Sequence, residues 1–388
     1  MSLESSITAL AQAIGADIKA LHSASAPAVG TVYTGLQSPG AQWLQAGGVY
    51  PSADYPDLYA ALGLPEQGVW APVTRYMPQN AEWSSIAYST TSAVFVAIAR
   101  GTDLAATSPD GVTWTLGTLP VSGDWVAVIF NSGVFSTVAK GTDIALTSTD
   151  GITWTQGVLP VSAEWEVGGV ARVAAGFGAL PMSTFVAGAT GDVVRFTGSS
   201  WVKSPLPLPA LVRWGAICRS NGVNILLPYD GDIALTSTNA AGTWTPRTLP
   251  QSAQWRSIAY GNGVFVAVAT AGDIAATSPD GIMWTQRTLP ASASWGCVVF
   301  GAGQFIALAG SDSEPSNVAA TSPDGIAWTL RTLPLVLDWR AGAYKEGLFA
   351  FVAAGTNGAA TLPVALPTFL VPPAAAVASP YKQWVKAG

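Results

Sequence analysis

The stretch Ser108-Pro109-Asp110-Gly111-Val112-Thr113-Trp114 decides how the chain is read, because it keeps returning. It comes back as Ser148-Thr149-Asp150-Gly151-Ile152-Thr153-Trp154, as Ser278-Pro279-Asp280-Gly281-Ile282-Met283-Trp284 and as Ser322-Pro323-Asp324-Gly325-Ile326-Ala327-Trp328. Degenerate copies end at Trp201 and Trp244. An Asp-Gly pair between two apolar runs marks a tight hairpin turn, with Gly at positive φ and the Asp side chain bonding the turn backbone. A period of roughly 40 residues means that one supersecondary unit is being repeated.

In the first full copy Trp83 opens an apolar stretch, and Val94-Phe95-Val96-Ala97-Ile98 follows a turn. Asp103-Leu104-Ala105-Ala106-Thr107 follows another, the Asp-Gly turn leads into Thr113-Trp114-Thr115, and Leu119-Pro120 closes the unit. Four short strands per unit is the pattern of a propeller blade. Opening tryptophans stand at Trp83, Trp125, Trp165, Trp214, Trp255, Trp295 and Trp339, so seven units are expected. The seventh supplies Leu348–Val352 and Gly358–Thr361 and then stops. Its missing strand is supplied from the other end, where Gly68 through Pro78 parallels Gly281 to Pro290. The expected fold class is mainly β: a seven-bladed β-propeller of four-stranded blades over 68–367, its last blade closed by the N-terminal strand 68–78. Such closure removes the exposed edges of a linear array. Of the 16 tryptophans, seven open units and seven, Trp70 included, stand on fourth strands. Filling the wedge between twisted sheets is the favoured role of the opening ring, over stacking on carbohydrate, at about 2–3 kcal/mol per indole.

Composition narrows the function. Only 10% of the 388 residues are charged, 49% are apolar and 41 are glycine, which suits buried short strands and tight turns. A net charge of -6 with 17 basic residues argues against a nucleic-acid partner. The greasiest segment, Val364 to Ala378, is broken by Pro367, Pro372 and Pro373, so membrane insertion is not expected. The N-terminus lacks the basic start and apolar core of a secretion signal. Cys218 and Cys297 fall in similar strands of different repeats and read as buried free thiols.

The flanks differ from the repeats. Ile7, Ala11, Ile14, Ile18 and Leu21 form a heptad seam on one expected helix within residues 1–24, capped by Ser2. The seam suits either packing on its own domain or an oligomeric coiled coil, a homotrimer among the options. Residues 25–67 are an irregular module centred on Trp43-Leu44-Gln45-Ala46-Gly47-Gly48, followed by Asp54-Tyr55-Pro56 and Gly63. Asp54 can cap a short helix, Pro56 suits its first turn and Gly63 its left-handed stop. This segment resembles the tail-collar region of tail fibres of tailed bacteriophages, over about a tenth of the chain. Gln45-Ala46 stand where that family has Cys-Asp. The resemblance implies a virion tail protein, made in the host cytoplasm, that holds other tail proteins through residues 1–67 and 368–388. In the C-terminal tail, Tyr381 to Lys386 reads as a strand able to pair with the collar-like module, similar to the last strand of collar-bearing fibres.

The repeated turn itself, with Asp110, Asp150, Asp280 and Asp324, resembles the Asp-box of sialidase-type propellers, with one residue fewer between Asp and Gly. In that family the turn is structural, which implies a structural role here. Turns between strands one and two and between three and four share one end of such a blade; the two-to-three turns and the inter-blade links share the other. The links keep a fixed frame, Leu-Pro then four residues then Trp, while their side chains vary. Variable loops on a rigid frame are where binding is expected. The candidate receptor-binding residues are therefore Glu82, Asp124, Glu164, Arg213, Gln254 and Asp338 before the opening tryptophans, with Asp312 and Glu314 in the insertion 311–316. The Asp and Asn of the two-to-three turns, Asp103 through Asn357, suit hairpins rather than a cation, and no metal or other cofactor is expected.

The single histidine, His22, lies in the terminal helix, which removes Ser-His, Cys-His and His-metal chemistry from the repeats. The expected function is non-catalytic binding of a host surface receptor, a glycan by preference, through the link end. The alternatives are a sialidase-like glycoside hydrolase and a purely structural baseplate or decoration protein. Glu82, Glu164 and Glu166 are available carboxylates for hydrolysis. Arg213, Arg256 and Arg340 lie near the starts of three separate units, and no Tyr is placed beside them by the repeat pattern.

Overall fold

The computed structural model describes residues 70–131, 133–168, 183–187, 192–196, 200–207, 213–220, 222–238, 243–310 and 314–364, with short strands at 32–35, 43–45, 49–51, 368–370 and 382–386. The expected helix, residues 52–67 of the collar-like module, residues 169–182 and Asp312 lie outside them. The chain divides into two units, Met1–Val69 with Val364–Gly388, and Trp70–Pro363. In the smaller unit Lys382–Lys386 lies between Val32–Gly35 and Trp43–Gln45, antiparallel to both, with Trp384 opposite Tyr33 and Gln45. Val49–Pro51 pairs with Thr368–Leu370.

The larger unit is all β among its described residues. Five antiparallel sheets have four strands each, and a sixth has seven. The first sheet runs Trp83–Ser89, Val94–Ala99, Thr102–Ser108, Thr115–Gly123 in spatial as in chain order. The seven-stranded sheet arises because Thr329–Lys345 is one long strand, ending one four-stranded set and opening the next. That last set is Trp339–Lys345 of the long strand, Leu348–Ala354, Thr356–Pro363 and Val73–Ala81. Thr361 faces Val73 and Thr356 faces Ala81, and Arg75 Nε donates to Thr361 Oγ1 at 3.1 Å. The strand thus starts at Val73 rather than at Gly68. Pro72 has no N–H to contribute, and after Trp114, Trp154, Trp244, Trp284 and Trp328 too the strand begins only past the tryptophan.

Strand position is written in the side chains. Second strands such as Val94–Ala99 and Val264–Ala269 are buried along nearly their whole length, because neighbouring sheets cover both faces. They are continuous apolar runs for that reason. Fourth strands such as Thr115–Gly123 keep one buried anchor, Leu119, among exposed neighbours. Leu159, Leu249, Leu289 and Leu333 repeat it, and Met77 fills the same place on Val73–Ala81. Leu-Pro does not end the strand as expected in Thr115–Gly123, Thr155–Ala163, Thr245–Ala253 and Thr329–Lys345, whereas Trp201–Pro205 and Thr285–Thr288 stop before it. In the first sheet Leu104 faces Thr118 but Thr102 faces Gly123, so Pro120 sits in a bulge where its missing N–H costs no ladder bond.

All seven opening tryptophans are buried, none more than 2% exposed. Trp125 Nε1 donates to the Thr102 carbonyl at 2.8 Å and Trp165 Nε1 to that of Thr142 at 2.9 Å, each reaching into the preceding sheet. Such indoles are packing elements and are closed to a sugar ring. Cys218 and Cys297 are buried free thiols, and burial pushes each up to about 12.

The four full Asp-Gly turns share one bonding scheme. In each, the Gly N–H donates to the Ser Oγ at 2.8 Å, and that hydroxyl donates to the Asp Oδ1 at 2.9–3.1 Å. The same Oδ1 accepts two further amides at 2.8–3.1 Å, as from Ile152 and Thr153 in the second copy. Gly151 has φ +76°, and a Cβ there would lie 2.3 Å from Val96 Cγ2 of the preceding sheet. Glycine is needed twice over, for the left-handed backbone and for the close approach.

These donors act on the carboxyl groups. The amides of Thr153 and Ile152 hold Asp150 below the usual carboxylate range, and Met283 and Ile326 lead the same effect at Asp280 and Asp324. At Asp110 burial pushes upward, but the amides of Thr113 and Val112 outweigh it. A carboxyl with a depressed folded-state pKa adds stability that is present above its unfolded value, about 3.9, and lost as pH falls through the folded one. The urea midpoint is therefore expected to fall between about pH 4 and pH 2. Asp→Asn at all four sites should flatten that slope, and an unchanged slope would exclude these turns as its source.

Candidate functional site

A bulge at the start of the first strands builds the centre of the larger unit. Pairing shifts between Trp83 and Ser85, Trp214 and Ala216, Trp255 and Ser257, Trp295 and Cys297, and Trp339 and Ala341. The residue after each tryptophan is thus the extra one of a bulge, a position that re-aims side chains. Ser84, Gly215, Arg256, Gly296 and Arg340 occupy it, and all border a central cavity of about 620 Å³. Five residues after the opening tryptophans stand Tyr88, Phe130, Tyr260, Phe300 and Tyr344, which border the same cavity. Each tilts against a fully buried second-strand Phe at 4.5–4.8 Å between ring centroids, so the collar is held rigidly. The cavity therefore has an arginine-bearing part near the link end and an aromatic part toward the Asp-Gly turns.

The nominated residues stand around the link end in a repeated frame. The carbonyl of Glu82 accepts from Arg100 N at 2.8 Å, and Asp124, Arg213 and Gln254 accept likewise from Lys140, Tyr229 and Thr270 at 2.7–2.9 Å. Their side chains are engaged in different ways. Asp124 Oδ1 lies 2.9 Å from Arg100 Nε, Glu164 lies 3.8 Å from Lys140, and Asp338 is buried against Arg340 at 2.5–2.7 Å. Arg213 lies over the Tyr229 ring at 4.5 Å, and Gln254 accepts from the Thr270 hydroxyl at 3.0 Å. Glu314 accepts from the Ser294 hydroxyl at 3.0 Å. Only Glu82 of the nominated set borders the cavity. Asp312 and the side chain of Glu166 lie outside the described residues.

Arginines from distant units converge here, which counting along the chain did not reveal. Arg256, Arg340 and Arg100 all line the cavity. Arg340 and Arg100 each hold a carboxylate, whereas Arg256 has no ion-pair partner among the described residues. Burial first, then the positive charges of Arg340 and Arg100, press the Arg256 guanidinium below the usual arginine range. A tyrosine does stand beside these arginines, contrary to expectation, since Tyr229 lies under Arg213 and acts electrostatically on Arg256. The sequence signals missed were the positions one and five residues after each opening tryptophan. Among the described residues no group of His, Cys, Asp and Glu is arranged to hold a metal ion.

No protein-family model and no curated protein matches the chain. Solved structures do. Virginiamycin B lyase from Staphylococcus aureus is 12% identical with a TM-score of 0.66, covering 76% of this chain and 100% of that one. YCF48 from Cyanidioschyzon merolae is 16% identical with a TM-score of 0.56, covering 76% and 98%. At such identities the likeness concerns architecture alone: the larger unit is a β-propeller built of four-stranded sheets.

Proposed function

We propose that the propeller has seven blades, closed by Val73–Ala81, and that the protein is a receptor-binding tail fibre or tail-tip protein of a tailed bacteriophage. In this reading it binds a host surface glycan at the link end without cleaving it. The tail-collar resemblance supports attachment of residues 1–67 and 368–388 to other virion proteins. Strand pairing supports the choice of end: Val73 and Thr361 face each other, so the chain enters and leaves the propeller at the Asp-Gly end. The observation that carries the reading is the link end itself, where a constant backbone frame carries varied side chains, Glu82, Asp124, Arg213 and Gln254 among them, and Glu82 borders the central cavity. A rigid frame with variable side chains is how a recognition surface is built.

The test replaces Glu82, Arg213 and Gln254 with alanine and 311–316 with a Gly-Ser loop, and measures adsorption of the labelled protein to susceptible cells. Adsorption is expected to weaken by about tenfold or more, as when several contacts at the centre of an interface are truncated. Thr113→Ala with Thr153→Ala, at the opposite end, should leave it unchanged. Equal adsorption by all three proteins rules the reading out, and absence of adsorption by the parent favours a structural role in the particle. The cluster of Arg256, Arg340 and Tyr229 favours keeping the hydrolase in view. Release of reducing sugar from host polysaccharide would decide for it.

A further inference from the structure

We propose that the central cavity is a binding site for the anionic group of an acidic saccharide, with Arg256 as the principal anion-binding side chain. The choice of a saccharide rests on the glycan-binding reading above; the anion site itself does not. Three arginines meet in one enclosed space of a chain whose net charge is -6. Two of them are neutralised, Arg340 by Asp338 and Arg100 by Asp124, and these pairs fix their positions. Arg256 is the remaining one. Its side chain borders the cavity, is repelled by Arg340 and Arg100 and attracted by Tyr229 and Asp338, and makes no ion pair or hydrogen bond among the described residues.

A half-buried guanidinium without an ion-pair partner is costly, and two neighbouring cations raise that cost. An oxyanion entering the cavity relieves both at once. Arginine is suited to it, because its planar fork matches the two oxygens of a carboxylate or phosphate. The rest of the cavity indicates what carries the anion. Tyr88, Tyr260 and Tyr344, with Phe130 and Phe300, line the cavity beyond the arginines with aromatic side chains, and the space of about 620 Å³ lies in the range that holds small-molecule ligands. A sugar acid or sugar phosphate places its charge on Arg256 and its ring against this collar.

The experiment uses the full chain and titrates glucuronate, glucose 6-phosphate, inorganic phosphate and glucose by calorimetry at low ionic strength. Glucuronate or glucose 6-phosphate is expected to bind at least about tenfold more tightly than glucose, the factor associated with one charge-assisted hydrogen bond. Which of the two binds distinguishes a carboxylate source from a phosphate source. Arg256→Gln should weaken that binding by a similar factor while leaving the melting temperature unchanged or higher, since repulsion is removed. Binding of neither sugar anion, or equal binding by parent and Arg256→Gln, overturns the proposal. Inorganic phosphate binding as tightly as glucose 6-phosphate overturns its saccharide part. The two readings fail separately. Unimpaired cell adsorption by a folded Arg256→Gln protein counts against the cavity site alone, and anion binding without any adsorption counts against the tail-fibre reading alone.

Discussion

Replacing Trp255 with alanine is expected to lower the unfolding free energy by about 3–5 kcal/mol. Its indole is wholly buried, in one cluster with Ala216, Cys218, Ile225 and Leu227 of the preceding sheet and Ala267 and Ala269 of its own. Those partners are small or already well packed, so they cannot close over the space an indole leaves, and the cavity term adds to the lost transfer energy. Trp284, just before the fourth strand Thr285–Thr288 of the same sheet, is only partly buried. Trp284→Ala should cost less than half as much. Urea unfolding of the two variants with unchanged m-values makes the comparison. A smaller loss at Trp255 than at Trp284 would mean that the opening ring is not what holds adjacent sheets together.

Removing residues 1–81 should have the second large effect. Val73–Ala81 supplies a full set of ladder bonds to Thr356–Pro363, buries Met77 and accepts the Asn357 amide on Asn80 Oδ1 at 3.0 Å. Loss of these contacts is expected to destabilise the protein by at least about 3 kcal/mol. The unpaired edge of Thr356–Pro363 should also make the truncated chain self-associate, which light scattering would detect. A permuted chain separates closure from mere deletion. Started at Glu82, with residues 70–81 rejoined after Pro363 through a short linker, it restores the strand in a new chain position. Melting within a few degrees of the parent is expected, since lengthening or moving a loop alters closure entropy only slightly. If the permuted chain behaved like the truncated one, strand pairing would not be the source of the stability.

The repeat was legible because four copies keep an Asp-Gly turn, and the copies share an apolar second strand and a packed tryptophan. Each leaves a mark at fixed spacing, and a Met77-for-Leu exchange does not hide it. The cavity was not legible in the same way. Arg256 and Arg340 face inward because their strands bulge, and a bulge depends on the partner strand rather than on local sequence. Arg100 joins them from a two-to-three turn and is steered by Asp124 of the following link. Distance along the chain placed these residues on separate blades. The geometry of a propeller brings such positions to a common centre. The aromatic collar escaped notice for another reason: five residues after tryptophan the chain has Tyr or Phe in five copies but Val170 and Arg219 in the other two.

Pairing the earliest strand of the propeller with its latest also sets a timetable for synthesis. Arg75 and the Thr361 hydroxyl it binds are 286 residues apart. At about 5–20 residues per second the ribosome needs roughly 15–60 seconds to deliver the second after the first. During that interval Val73–Ala81 has no ladder partner, while the intervening sheets can assemble one after another as they emerge. The final docking step must therefore come after most of the polypeptide is already folded, and its rate should respond to chaperones that shield a nascent strand.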